Sequence, residues 1–486
     1  MRAMRRLILP IAAALLALTA ILALEHEAPV DVLVWDAALA GSPATIYQNV
    51  SDPGPLVLVA HGYAGSRQMM RPLSLALAKA GFTAVAFDFH GHGRHPVPMD
   101  ADVASIEGTT AQLVAQTVAT ARAARNATGV RGPVALLGHS MATDVVIRAA
   151  PELGAAAVVA VSMYSEAVTP EAPPRLLIVS GAREGRLREV ALAALRQVDP
   201  AADEGETAGA GDVLRRAVAA PGVGHVGVLY SAETMTEARD WIGAATGWAA
   251  EGPLPRTAWW AGLLLAAVVA LAWPAARLAG GAPPPPPAPL PRRTVLAALL
   301  LPVPAALGAA ALVPPDALGL SAFGGLAAFL AAWGAVQAAV LLRAGRRLAA
   351  PGWGAAALYL GWALVFAAAL DRYGASFAPT GPRAGAMALM LLGTLPFLAG
   401  DALLSRGARW PLRIAARALP LAALLGAMLL QPRLGIAFTV LPVAVLFWLV
   451  YGTAARPFRA AGAALPLAMA LALAWAIAAS TPLVAA

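Results

Sequence analysis

The chain has 486 residues, of which 59% are hydrophobic, with a mean hydropathy of +0.69, too apolar for an ordinary water-soluble protein. It has no cysteine, which excludes disulfides, thiol nucleophiles and cysteine-ligated metals. The net charge of +8 is unevenly placed: residues 25–255 hold 24 acids against 16 bases, whereas residues 256–486 hold three aspartates against sixteen arginines. A basic excess confined to gaps between apolar segments is a sign of membrane topology and excludes a nucleic-acid-binding surface.

In chain order, residues 1–25 come first. Arg2, Arg5 and Arg6 precede an apolar run from about Leu7 to Leu24, which reads as a signal anchor or a cleavable signal peptide. Residues 26–255 then alternate short apolar runs with helical patterns. "PLVLVAHG", "FTAVAFDF", "PVALLGHS", "AAAVVAVS" and "PRLLIVSG" predict buried parallel strands. "RPLSLALAKAG", "GTTAQLVAQTVATARAARNATG" and "ETMTEARDWIGAATG" predict helices that stop at glycine. Such alternation requires crossovers, hence a mostly parallel sheet flanked by helices.

Residues 256–486 predict an all-α polytopic bundle of about eight helices. The apolar segments fall at about 257–276, 294–313, 317–342, 353–370, 384–403, 414–430, 434–451 and 460–482. "APPPPPAPLPRR" separates the first two as a polyproline-like loop. With the N-terminal segment the spans number nine. Alternating the loops puts fourteen arginines on the side of the N-terminus and four (Arg256, Arg372, Arg383, Arg433) on the other. The positive-inside rule then places residues 26–255 outside the cytoplasm of a multi-pass membrane protein.

Chemistry is concentrated before residue 226. "GHSMA" puts Ser140 between a strand and a helix, where small neighbours allow the tight turn of a nucleophile elbow, with Ala142 where glycine is usual. "AHGYAGS" ends an earlier strand at Tyr63, "SGARE" sets Glu184 after a later strand, and "GVGHVG" sets His225 in a loop before the last helix. The order serine, acid, histidine is that of a triad on an α/β sheet. These stretches, with "FDFHGHGRH", are similar to the α/β-hydrolase fold superfamily over about residues 30–248; the membrane half resembles no family. The resemblance implies a serine hydrolase in which Ser140 attacks, His225 is the base and Glu184 stands where aspartate is commoner. Backbone N–H groups of Tyr63 and Met141 would form the oxyanion hole. This chemistry calls for no cofactor and no metal.

Other polar residues have plainer readings. His90, His92 and His95 read as a loop at the rim of the site, His139 as packing, Asp144 as structural, and Asp199 and Asp203 as acids at the far end of the helix that follows Glu184. Glu184 itself could merely favour that helix's positive end. Only "MYSEAVTPEAP" separates the fourth and fifth strands, so no large lid is expected. The expected partners are the lipid bilayer and an acyl-containing substrate, derived from lipid or envelope. A membrane transporter or scaffold carrying an auxiliary hydrolase-fold domain is the alternative, although ionisable residues are scarce inside the spans.

Overall fold

The computed structural model describes residues 2–486, with side chains from Ile8 onward. The side chains of Arg2, Arg5 and Arg6, the basic flank expected of the first span, lie outside the described residues. Two compact units are present. One comprises Thr19–Leu263 with Asp371–Ser376; the other comprises Leu264–Leu370 and Phe377–Ala486 with the N-terminal residues through Leu18. Helix α1 (Arg2–Glu25) contributes to both.

The first unit is built on one sheet. Strands β1 (Val32–Leu39), β2 (Ser42–Asn49), β3 (Leu56–Ala60), β4 (Thr83–Phe87), β5 (Val134–His139), β6 (Ala157–Val161), β7 (Arg175–Gly181), β8 (Thr207–Ala210) and β9 (Val213–Ala220) run in the order β1-β2-β4-β3-β5-β6-β7-β9-β8. The six strands from β4 to β9 in that order are parallel, and the antiparallel β1–β2 hairpin and β8 close the two edges. Helices α2 (Arg71–Lys79), α3 (Ala111–Thr128), α4 (Ala142–Leu153), α5 (Gly185–Arg196) and α6 (Ala232–Thr246) cover both faces. Alternate residues of each strand feed two cores. Leu56, Leu58 and Ala60 pack with α3, α4 and α5, while Val57 and Val59 pack with α2 and α6. Because both faces are covered, the central strands are apolar throughout, which is why β3 to β7 were readable as runs.

Strands β1, β2, β8 and β9 were not among those expected. The hairpin has no continuous apolar run, since β1 leaves most of one face in solvent. β9 is disguised by Arg215 and Arg216. Arg215 is fully buried, yet its guanidinium donates to the Ala194 carbonyl at 2.8 Å and to Gln197 Oε1 at 2.9 Å. Arg216, one residue on and so on the opposite face, donates to both carboxylate oxygens of Glu237 at 2.8 and 2.7 Å. Each guanidinium finds acceptors on its own side of the sheet.

The second unit is helical, built from α8 (Arg292–Leu300), α9 (Pro302–Leu312), α10 (Phe323–Arg343), α12 (Pro382–Ser405), α13 (Trp410–Leu430), α14 (Val440–Ala454) and α15 (Ala464–Ser480) and from most of α7 (Thr257–Leu278) and α11 (Trp353–Tyr373). Among the described residues, eight segments are long and apolar enough to cross a membrane: Ile8–Glu25, α7, the α8–α9 pair, α10, α11, α12, α13 and Pro432–Ala454, which includes α14. The ninth expected span, 460–482, forms the 17-residue α15, apolar but shorter.

Pro302 breaks the helix between α8 and α9 because it has no N–H for the Ala298 carbonyl four residues back. Gln337 Nε2 on α10 donates to that carbonyl instead, at 3.1 Å. α10 and α12 meet along a glycine seam. A β-carbon on Gly334 would lie 2.1 Å from the Pro396 carbonyl carbon, and one on Gly393 would lie 2.6 Å from the Ala327 oxygen. Close backbone approach through small residues is how helices pack where lipid removes the hydrophobic drive.

Candidate active site

The C-terminal ends of β3, β5, β6, β7 and β9 lie along one edge of the sheet, where parallel α/β sheets place their ligands. Ser140 follows β5 with φ +54°, a left-handed conformation costly for a residue with a β-carbon. The turn is held in place by Ser140 N–H donating to the Val161 carbonyl at 2.8 Å, and by Thr143 N–H and Oγ1–H donating to the Ser140 carbonyl at 2.9 and 2.7 Å. Gly138 is required beside it: a β-carbon there would lie 2.6 Å from the Ala142 oxygen and 2.8 Å from Val146 Cγ2. Ala142, in place of the usual glycine, is fully buried at the start of α4.

The turn presents Ser140 Oγ to His225, from the loop after β9, with Oγ 2.9 Å from Nε2. The other ring nitrogen, Nδ1, donates to Glu184 Oε1 at 2.6 Å. Three residues that are 85 and 41 positions apart along the chain thus form one hydrogen-bonded line. Glu184 is fixed from its far side, where Oε2 accepts from Gly181 N–H at 2.6 Å and from Ser162 Oγ–H at 2.7 Å. Its side chain is 7% exposed. Burial works to raise its pKa, but the hydrogen bonds from His225, Ser162 and Gly181 outweigh it and hold the carboxyl below its usual range. The rival acids are placed elsewhere: Asp203 pairs with Arg196 at 3.0 Å and Asp199 accepts from Ala201 N–H at 2.9 Å.

Tyr63 and Met141 both line the cleft that holds Ser140 and His225. The loop after β3 is pressed against the serine turn, since a β-carbon on Gly62 would stand 2.9 Å from both His139 Nδ1 and Ser140 Cβ. His61 locks that loop by donating from Nδ1 to the Gly62 carbonyl at 2.8 Å and accepting the Phe89 N–H on Nε2 at 3.1 Å. Burial lowers the His61 pKa, so the ring stays neutral and can play both parts.

Two further residues hold this line in place. Ser162 carries φ +53° at the end of β6 and holds the acid. Its signal was its position, a polar residue just past the strand next to the one that delivers Ser140. His139, expected only to pack, donates from Nε2 to the His225 carbonyl at 2.8 Å. Burial, the larger influence, drives its pKa down to about 4, which keeps it a neutral donor. No spacing in the sequence could announce a contact across 86 residues.

The cleft has a volume of about 580 Å³. No helix intervenes between β6 and β7, as expected of a fold with no large lid. Cover comes instead from the segment after β4, which lends Met99, Val103 and Ile106 to the cleft wall. That segment begins with the histidine cluster. His92 packs on His61 with centroids 5.2 Å apart, and His90 packs on His95 at 4.3 Å. His95 Nδ1 accepts the Val97 N–H at 3.1 Å, and Asp88 is taken up by Arg67 at 2.5 Å and by Arg94 N–H at 3.0 Å. Asp144 pairs with Arg148 at 2.7 Å and accepts from Ser165 Oγ–H at 2.6 Å.

Part of this unit is similar to known proteins. The family model of serine aminopeptidases, S33, matches residues 51–187, a stretch that holds Ser140 and Glu184 and ends before His225. A search of curated proteins finds no match. Among solved structures, the chain is similar to TT1662 from Thermus thermophilus, at 20% identity over 43% of this chain and 98% of that one, with a TM-score of 0.32. It is also similar to a lipase in its open form (12% identity, 44% and 99% covered, TM-score 0.35) and to epoxide hydrolase VrEH1 from Vigna radiata (24% identity, 27% and 41% covered, TM-score 0.22). The family match over residues 51–187, together with a parallel sheet whose fifth strand delivers a serine on a left-handed turn, identifies the N-terminal half of this chain as an α/β-hydrolase-like domain.

Proposed function

We propose that the protein is a membrane-bound serine hydrolase that cleaves acyl esters through an acyl-enzyme. The observation that carries this reading is the unbroken line Ser140 Oγ, His225 Nε2, His225 Nδ1, Glu184 Oε1, at 2.9 and 2.6 Å. In this mechanism His225 Nε2 takes the Ser140 proton as Oγ attacks the ester carbonyl carbon. Glu184 holds the proton on Nδ1 and stabilises the charged ring. The N–H groups of Tyr63 and Met141 receive the oxyanion. Collapse expels the alcohol, which leaves with the proton from Nε2. Water, deprotonated by the same nitrogen, then attacks the acyl carbon and frees the acid and Ser140.

The apolar wall of the cleft favours an acyl chain as the group recognised. Val103, Ile106 and Tyr164 line the cleft and are exposed, an arrangement that suits a substrate delivered from a lipid surface. The bundle anchors the domain in the bilayer, and the fourteen-to-four split of arginines favours an extracytoplasmic site.

Labelling the full chain with a fluorophosphonate probe tests this reading, together with turnover of p-nitrophenyl butyrate and laurate. Labelling and ester turnover, both lost in Ser140→Ala, are expected. A folded wild type that neither labels nor turns over either ester would refute the proposal. Faster turnover of alanine p-nitroanilide than of the esters would move the substrate class to peptides, in keeping with the name of the matched family.

A further inference from the structure

A second cavity, of about 450 Å³, lies wholly within the helical unit. Its wall carries five arginines (Arg406, Arg413, Arg417, Arg456 and Arg459) and a single carboxylate, Asp401, a formal excess of four positive charges. Asp401 is already engaged, by Arg417 at 3.5 Å and by Ser405 Oγ–H at 3.0 Å. Arg417 is further fixed by Trp448, whose ring centroid lies 3.7 Å from the guanidinium carbon. Arg406 reaches the Pro285 carbonyl at 2.9 Å, so the polyproline loop forms part of the rim. Among the described residues, Arg406, Arg413, Arg456 and Arg459 form no ion pair, and the buried Nε–H of Arg413 meets no acceptor.

Arginines scattered singly at helix ends are ordinary. These differ because they come from α12–α13 and the turn after α14 and converge on one cavity, whose deeper wall is Leu398, Leu465 and Met469. Like charges held together beside apolar side chains repel, and an anion relieves that repulsion while taking up the unused N–H donors. The guanidinium fork matches phosphate oxygens in pairs. Basic pockets between membrane helices, with an apolar wall below, suit a charged headgroup and its chains.

We propose that this cavity binds a phosphate-bearing anion, with the arginines on the phosphate and the wall of Leu398, Leu465 and Met469 on the acyl chains of an anionic lipid. The site is independent of the Ser140 triad. The full chain in a neutral detergent is titrated with phosphatidylglycerol, phosphatidylcholine and inorganic phosphate, with retained lipid counted by native mass spectrometry and the unfolding midpoint followed by tryptophan fluorescence. Phosphatidylglycerol is expected to be retained about tenfold better than phosphatidylcholine. The variant Arg456→Gln/Arg459→Gln, whose side chains are exposed so that the fold is spared, is expected to lose that preference. Arg292→Gln/Arg293→Gln, removing two exposed charges outside the cavity, is expected to keep it. Displacement by millimolar inorganic phosphate would assign the site to the free anion as well; resistance to displacement would assign it to the lipid. Equal retention of the two lipids with no phosphate binding overturns the proposal, as does a preference that survives both Arg456→Gln/Arg459→Gln and Arg413→Gln.

Discussion

Glu184→Gln tests the triad most directly, because the surroundings dictate how the new amide must sit. Two donors, Gly181 N–H at 2.6 Å and Ser162 Oγ–H at 2.7 Å, point at Oε2, so the amide oxygen stays on that side. The NH2 group then faces His225 Nδ1, where Oε1 now accepts at 2.6 Å. Facing a donor, Nδ1 must be the acceptor and the ring proton moves to Nε2, which lies 2.9 Å from Ser140 Oγ. The base is then blocked at the atom that should take the proton. The carboxylate charge is lost as well, in a site where the side chain is only 7% exposed and water screens little. Neutralising the acid of a Ser-His-acid site costs about 10⁴ in kcat, or about 5.4 kcal/mol at 1.36 kcal/mol per decade. Glu184→Asp keeps the charge but withdraws it by one methylene, and a loss of about 10–100-fold is expected from the lengthened hydrogen bond. The assay is kcat for p-nitrophenyl butyrate, with the fluorophosphonate labelling rate as a second reading of serine activation. If Glu184→Gln stays within tenfold of wild type while His225→Ala is inactive, Glu184 does not orient the base and the argument fails.

Three further outcomes follow from the same geometry. His139, held near pKa 4 by burial against an ordinary value of 6.5, contributes stability that is complete above pH 6.5 and is lost as pH falls towards 4. The loss is about 3 kcal/mol at 1.36 kcal/mol per pH unit. His139→Leu should flatten that dependence, measured by loss of labelling on heating at pH 7.5 and 4.5, and should lower kcat about tenfold by freeing the His225 carbonyl; an unchanged pH slope would remove His139 from the account. Gly62→Ala inserts a methyl group 2.9 Å from His139 Nδ1 and Ser140 Cβ, and should cost about 1–3 kcal/mol of unfolding free energy along with most of the turnover; a fully active variant would show that the two loops are not in contact. Asp88→Asn leaves the buried Arg67 guanidinium without its carboxylate, a change expected to cost about 3–5 kcal/mol in a denaturant titration, and a loss below 1 kcal/mol would mean that Asp36 suffices.

Much of this molecule is written locally. The five central strands are legible because burial on both faces makes them continuous apolar runs. The serine turn is legible because a left-handed φ at Ser140 demands Gly138 and other small neighbours within five residues. The helices long and apolar enough to cross a membrane are legible because that property is length and hydropathy alone. The edges of the sheet were hidden, since a half-exposed hairpin and a strand bearing two arginines lack the period that marks a core strand. Arg215 is buried only because carbonyls from distant segments receive it, and its identity says the opposite.

The sequence could order Ser140, Glu184 and His225 along the chain but could not bring them together. Parallel pairing of β5, β6, β7 and β9 does so, aligning the strand ends so that residues 41 and 85 positions apart fall within hydrogen-bond reach. The same alignment sets Ser162 behind Glu184 and brings the His139 ring onto the His225 carbonyl. It also takes tertiary structure to gather five scattered arginines around one cavity in the helical unit. Local pattern is fixed by backbone geometry and solvent preference, which neighbouring residues decide. A site is a set of distances between atoms far apart in the chain, and only the folded sheet and bundle fix those.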